Sequence, residues 1–214
     1  MQPIFITGGT GYMGTRLIKA LLEKDYIVNA LVRKGSEIKL PKGTIPVIAN
    51  AFDALIFQNE IPKDAIFIQL LGVSHPGPKK KEFFKSIDLA SVNASVIAAK
   101  HAGVSHFIYV SVAQTPTKIM KDYQECRAAG ELAIKNSGLT ATFIRPWYVI
   151  GPNHYWPLLF QPLFKILEFI PKTSQKAKAL RLVYLKQMLN ALMFAVENPA
   201  IDTRVIEIDA IRKS

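Results

Sequence analysis

The segment Thr7-Gly8-Gly9-Thr10-Gly11-Tyr12-Met13-Gly14 holds the most specific chemical signal in the chain. Glycines at this spacing suit a loop that cradles a dinucleotide pyrophosphate. Gly8 permits the tight turn, Gly11 lets the backbone approach the phosphates, and Gly14 lets the next helix pack closely on the strand. The context agrees. Ile4-Phe5-Ile6 before the loop reads as a buried strand, and Leu17, Ile18, Leu21 and Leu22 after it recur on one helical face. The start of that helix offers free N–H groups and the positive end of a dipole to phosphates. The bland counterpart is a glycine-rich turn that holds no ligand. A Walker loop is excluded, because no Gly-Lys-Ser/Thr follows.

The end of the second strand discriminates between dinucleotides. A carboxylate there accepts the ribose hydroxyls of NAD. This chain reads Asn29-Ala30-Leu31-Val32-Arg33-Lys34, with two cations and no acid. A guanidinium at Arg33 can fork onto a 2′-phosphate and stack on adenine. NADP, with NADPH preferred over NADH, is therefore the expected cofactor. The alternative is a pair of solvated loop cations.

The elements that must position these residues alternate between strand and helix. Strands are expected over 4–7, 27–32, 45–49, 65–71, 106–112, 140–145 and 205–208. Helices are expected over 12–24, 81–102 with Gly103 as its stop, 118–136 ended by Ser137-Gly138, and 185–197 before Pro199. Continuous apolar strands between helices imply an α/β chain with a mostly parallel sheet covered on both faces. The connections are short, so the expectation is one domain over 1–214, with a small cap near 150–181.

Composition sets the outer bounds. The chain has 214 residues, half of them hydrophobic, with 27 Lys and Arg against 16 Asp and Glu. That balance builds a sizeable core. One cysteine, Cys126, excludes an internal disulfide framework and a multi-cysteine metal site. No metal is expected, because neither His75 nor His154 has partner ligands nearby in sequence. The first residues lack a basic region before their apolar run, and the greasy stretch 155–171 is broken by Pro157, Pro162, Lys165 and Glu168. A cytoplasmic protein with no transmembrane segment is expected. The excess of cations suits an anionic ligand. It is dispersed, and Lys79-Lys80-Lys81 reads as a solvated helix start, so no specific nucleic-acid binding is expected.

With these motifs in place, the chain resembles the short-chain dehydrogenase/reductase superfamily in its extended and atypical branches. It is most similar to small NmrA-like or epimerase/dehydratase-like NAD(P)-binding proteins. The resemblance rests on the glycine loop, on Leu31-Val32-Arg33, on the run from Ala102 through Val110-Ser111, and on Ser137-Gly138-Leu139 through Ile144-Arg145-Pro146 and Gly151-Pro152. It implies a three-layer Rossmann fold with strand order 3-2-1-4-5-6-7. It further implies that Asn50 and Ala51, Leu71 and Gly72, and Pro146 border the cofactor. The departures are specific. Ala49-Asn50 stands where the family has Gly-Asp. Asp88 stands where the extended branch has Asn. Tyr123-Gln124-Glu125-Cys126-Arg127 replaces Tyr-x-x-x-Lys.

The resemblance implies a catalytic set of Ser111, Tyr123 and Arg127. Ser111 ends a strand, where open α/β sheets place ligands. Tyr123 and Arg127 are four apart and share a helix face. The phenol gives or takes the alcohol proton, and Ser111 holds the substrate oxygen. A free phenol has a pKa of about 10, and a cation at about 4–5 Å lowers it by roughly two to three units. Arg127 supplies that charge. The competing arrangement pairs Arg127 with Glu131 on the helix surface and leaves Tyr123 as packing.

The substrate side is expected at His75, Trp147, Tyr148, His154 and Trp156, with Tyr155 beside them and the apolar stretch 158–170 as cap. The expected activity is an oxidoreductase or epimerase-like reaction on a small carbonyl or alcohol substrate. The alternative is an NADP-sensing regulator or assembly factor of the NmrA-like type, without turnover. Monomer and homodimer both stay open, as does peripheral membrane contact through the 155–171 segment.

Overall fold

A computed structural model describes residues 2–73, 76–117, 120–155 and 180–214. The chain begins with β1 (Ile4–Thr7) and α1 (Gly14–Leu22). Next come β2 (Val28–Val32), β3 (Ile45–Ile48), the short α2 (Ala54–Phe57) and β4 (Ile66–Gln69). A long helix follows in three parts: α3 (Lys81–Phe83), a π-helical turn (Phe84–Leu89) and α4 (Ala90–Ala102). Then come β5 (His106–Val110), α5 (Lys121–Asn136) and β6 (Ala141–Ile144). Two short strands, β7 (Val149–Ile150) and β8 (Val183–Tyr184), form a separate parallel pair. The chain closes with α6 (Leu185–Glu197), β9 (Thr203–Ile206) and α7 (Ile208–Ile211).

The seven-stranded sheet has the order β3-β2-β1-β4-β5-β6-β9, and every pair in it is parallel. The expected Rossmann order holds, with β9 as the seventh strand. Strand sequence explains the two faces. Ile4-Phe5-Ile6 pairs with Ile66-Phe67-Ile68, so in register the isoleucines point one way and the phenylalanines the other. Ile6, Ile68 and Ile108 meet α1 and α6 on one face. Phe5, Phe67 and Phe107 form a ladder on the other, with ring centroids 5.3 and 4.9 Å apart. Each such ring, fully buried, contributes roughly 1.5–3 kcal/mol.

The helix stop at Gly103 is as expected; the residue is left-handed at φ 67°. Two boundaries are corrected. The last strand is Thr203–Ile206, not 205–208. It is an edge strand, so its first residues are half exposed and give no apolar signal, whereas Ile208 is buried as the first residue of α7. The helix expected from residue 118 starts at Lys121.

The carboxyl ends of β1, β4, β5 and β6 define the site. Buried polar groups lock them. Thr7 Oγ1 donates to Gln69 Oε1 at 2.6 Å, Ser95 Oγ donates to the same oxygen at 2.9 Å, and Gln69 Nε2 donates to Ser91 Oγ at 3.1 Å. This joins β1 and β4 to α4. At the other end Arg145, just past β6, holds Glu131 of α5 through Nε at 2.9 Å and Nη2 at 2.6 Å, and reaches Glu207 at 2.8 Å.

Candidate functional site

The glycine loop leaves β1 as a cradle that side chains would fill. Gly8 is left-handed at φ +72°, and a Cβ there would lie 2.8 Å from the backbone of Leu70 and Leu71. A Cβ on Gly14 would overlap the carbonyl oxygen of Gly8 and sit 2.8 Å from Gly9 Cα. Gly11 N–H donates to Gly8 O at 3.0 Å and closes the turn. The first N–H groups of a helix have no partner within the helix. The loop presents them at the start of α1, which is the geometry that phosphates need. Gly9 also has a packing task. It is buried, and a Cβ there would meet Ile18 Cδ1 at 2.9 Å and Ala30 Cβ at 3.3 Å. Its smallness lets the loop sit on the core.

Gly8, Gly11, Tyr12, Met13 and Gly14 form one wall of a cavity of about 410 Å³. The opposite wall carries Ser111, Tyr123, Arg127 and Pro146. Gly72 and Val73 close it from the end of β4, and Trp147, Tyr148 and His154 from beyond β6. The Ser111 side chain is buried, and its hydroxyl has no hydrogen-bond partner among the described residues. A buried hydroxyl left unsatisfied is costly unless something else meets it. Trp147 and Tyr148 stack edge-on at 5.3 Å and give the cavity an aromatic side. Tyr155 is exposed, and His75 and Trp156 lie outside the described residues.

Arg127 is the electrostatic centre of the far wall, and its partner is not the expected one. Its Nη2 lies 2.6 Å from Asp88 Oδ1, and both side chains are buried. Glu131 is held by Arg145 instead. The reason is geometric. α5 turns Tyr123 and Arg127 toward the π-helical turn that carries Asp88, whereas Glu131 faces the end of β6. Arg127 Nε donates to the Tyr123 hydroxyl oxygen at 3.2 Å. Its Nη1 donates to Tyr109 Oη at 3.3 Å and to Val110 O at 3.2 Å. Asp88 Oδ2 accepts the Val73 N–H at 3.1 Å.

These contacts set the proton affinities. Burial pushes the Tyr123 phenol above its ordinary value; Arg127 pulls it down, and Asp88 pushes it up again. The expectation that Arg127 acidifies this phenol is therefore corrected: burial outweighs the cation, which Asp88 opposes in part. Burial likewise lifts Tyr109 to about 12 against the pull of Arg127. Burial opposes the Arg127 charge, but Tyr123, Tyr109 and Asp88 outweigh it, and the guanidinium stays protonated. Cys126 is buried as expected and donates its thiol to Phe84 O at 3.0 Å.

Arg33, Lys34, Asn50 and Ala51 are not part of the cavity wall. Arg33 and Lys34 follow β2, and Asn50 and Ala51 follow β3, on the side of β1 away from Tyr123. Both cations are exposed. Asn50 Oδ1 accepts the Phe52 N–H at 3.1 Å, which shapes the turn after β3. Thr10 and Leu71 do not line the cavity either; Leu70 does. Sequence reasoning named Asp88 only as a departure and missed Tyr109 altogether. The single available signal for Asp88 was a carboxylate inside an otherwise apolar helix. Tyr109 sits in a strand and reads as core.

Residues 8–152 match the model of a family described as NAD(P)H-binding. Among curated relatives, the chain is 27% identical over 185 residues to the ceramide reductase of Caulobacter vibrioides, covering 81% of this chain and 56% of the relative. It is 23% identical over 176 residues to the UDP-glucose 4-epimerase of Vibrio cholerae, covering 71% and 53%. The chain thus spans about half the length of these relatives. Among solved structures, a UDP-galactose 4-epimerase matches with a TM-score of 0.73 at 17% identity, over 97% of this chain and 77% of that one. The Bordetella bronchiseptica enzyme WbmH, solved with NAD+, matches with a TM-score of 0.72 at 20% identity, over 100% and 78%.

Proposed function

The chain belongs to the NAD(P)H-binding family, and from that premise we propose that it is an NADP(H)-dependent oxidoreductase or epimerase-like enzyme acting on a carbonyl or alcohol carbon of a small molecule. One observation carries the reading. The unpartnered Ser111 hydroxyl, the Tyr123 phenol and the glycine loop all face one cavity. The names of the curated relatives, a reductase and an epimerase, support the reaction class.

Bound in that cavity, a nicotinamide supplies or accepts the hydride. The chain's own residues handle the oxygen. Ser111 Oγ is free to donate to the substrate oxygen. Arg127 Nε already donates to the Tyr123 oxygen, so the phenol hydrogen remains available for transfer to that same substrate oxygen. Trp147 and Tyr148 exclude water and favour an apolar or aromatic substrate body. The cations Arg33 and Lys34 after β2, with no acid beside them, support NADP over NAD; WbmH, by contrast, was solved with NAD+.

The second reading is an NADP-sensing regulator without turnover. Its support is the Asp88 carboxylate, which takes up the charge that would otherwise acidify Tyr123. A panel of carbonyl substrates with NADPH separates the two. The enzyme reading expects reduction of at least one, abolished in Tyr123→Phe while NADPH affinity stays within about 1 kcal/mol. Tight NADPH binding with no turnover across the panel leaves the sensor.

A further inference from the structure

We propose that Asp88 is a positioning residue of this site: the Asp88–Arg127 pair, rather than Arg127 alone, governs when the Tyr123 hydroxyl yields its proton. The inference rests on Tyr123 as the proton-transfer group argued above. It starts from the helix itself. Asp88 sits in the π-helical turn Phe84–Leu89 between α3 and α4. A π-helical turn re-aims side chains and recurs at functional sites. Here it brings a fully buried carboxylate up behind the cavity wall, against Arg127 and Val73, which line it.

Each oxygen of that carboxylate has a distinct task. Oδ1 meets Arg127 Nη2 at 2.6 Å, and Oδ2 accepts Val73 N–H at 3.1 Å. The backbone after β4 is thus tied to the catalytic helix through one side chain. Gly72 makes this approach feasible. A Cβ there would overlap Arg127 Nη2 and lie 2.7 Å from Asp88 Oδ1. The guanidinium continues the chain, through Nε to Tyr123 and through Nη1 to Tyr109 and Val110.

The charged and titratable groups facing Tyr123 are Arg127 and Cys126 on its own helix, Asp88 from the π-helical turn, Tyr109 from β5 and Tyr148 from beyond β6. Among them Arg127 is the cation and Asp88 the carboxylate. Asp88 opposes part of the pull that Arg127 exerts on the phenol, and burial, the largest influence, prevails. Removal of the carboxylate charge leaves the cation unopposed beside the phenol.

The test follows the phenol directly and needs no substrate. The full chain is labelled with [13Cζ]tyrosine, Tyr123 is assigned by its loss in Tyr123→Phe, and its resonance is titrated. Asp88→Asn keeps shape and hydrogen-bonding capacity. It should lower the Tyr123 midpoint by about one pH unit or more, about tenfold in ionised fraction at a given pH. A shift below about 0.3 unit overturns the proposal. Asp88→Asn/Arg127→Gln removes both buried charges and so does not depend on tolerance of an unpaired one. It should leave the midpoint near that of the parent. A rise of about one unit or more shows that Arg127 was never offset, and overturns the proposal independently. Failure of the enzyme reading would appear instead as absent turnover while the Tyr123 midpoint still shifts as expected.

Discussion

His106 should make this protein lose stability below neutral pH, and the structure fixes the sign and size. The ring is fully buried at the start of β5. Its Nδ1 lies 3.3 Å from Thr140 Oγ1 and its Nε2 lies 2.9 Å from Thr142 Oγ1. Thr140 Oγ1 already donates to Ser105 O at 2.9 Å, so it accepts from the ring. The neutral tautomer with hydrogen on Nδ1 follows, with Nε2 accepting from Thr142. Burial, and then the charge of Arg204, lower the ring from 6.5 to about 4. The unfolded chain therefore binds a proton between these values that the folded chain refuses. The stabilisation is complete above about pH 6.5 and is lost as pH falls toward 4. The shift corresponds to about 3 kcal/mol at pH 4, a large share of a typical folding free energy. Urea unfolding of the parent and of His106→Asn, followed by tryptophan fluorescence between about pH 4 and 8, reads the difference. The parent curve should fall more steeply by about that amount. Parallel curves, or a His106 ring that titrates near 6.5 by NMR, would refute the reasoning.

Two further outcomes follow from other parts of the structure. If Arg33 meets a 2′-phosphate, NADPH should bind at least about tenfold tighter than NADH by calorimetry, and Arg33→Ala should erase most of the difference. Glu131→Gln should cost about 2–3 kcal/mol in urea unfolding, because it strips a charged, two-pronged contact from Arg145 where α5 meets β6.

The fold was legible because each strand carries its own instructions. Ile-Phe-Ile at β1 and again at β4 is apolar on both faces, which only a sheet covered on both sides tolerates. The glycine loop was legible because its geometry leaves no room for any other residue at Gly8 and Gly14. At Gly9 the packing demand was not legible, since a glycine needed for core packing and one needed for a ligand look alike in sequence. β9 was misplaced because an edge strand half in water loses its apolar signature. The partner of Arg127 was hidden for a different reason. Spacing along α5 offers Glu131, four residues on, but side chains on one helix also answer to what packs against them. Asp88 is 39 positions earlier in the chain, and only the π-helical turn aims it at Arg127.

Asp88, Arg127 and Gly72 are best understood as one coupled feature. A buried guanidinium held by a carboxylate costs several kcal/mol of lost hydration per ion, which good geometry recovers and a single missing partner does not. The resembling family has a lysine and an asparagine at the two positions, one charge rather than two of opposite sign. Substituting Arg127 alone would strand the Asp88 carboxylate, and substituting Asp88 alone would strand the guanidinium. A side chain at residue 72 would push both heads apart. The three residues also reach the two walls that hydride chemistry must bring together: Val73 after β4 and Tyr123 on α5. A site built this way resists piecemeal change, because each charge, once buried, depends on the other.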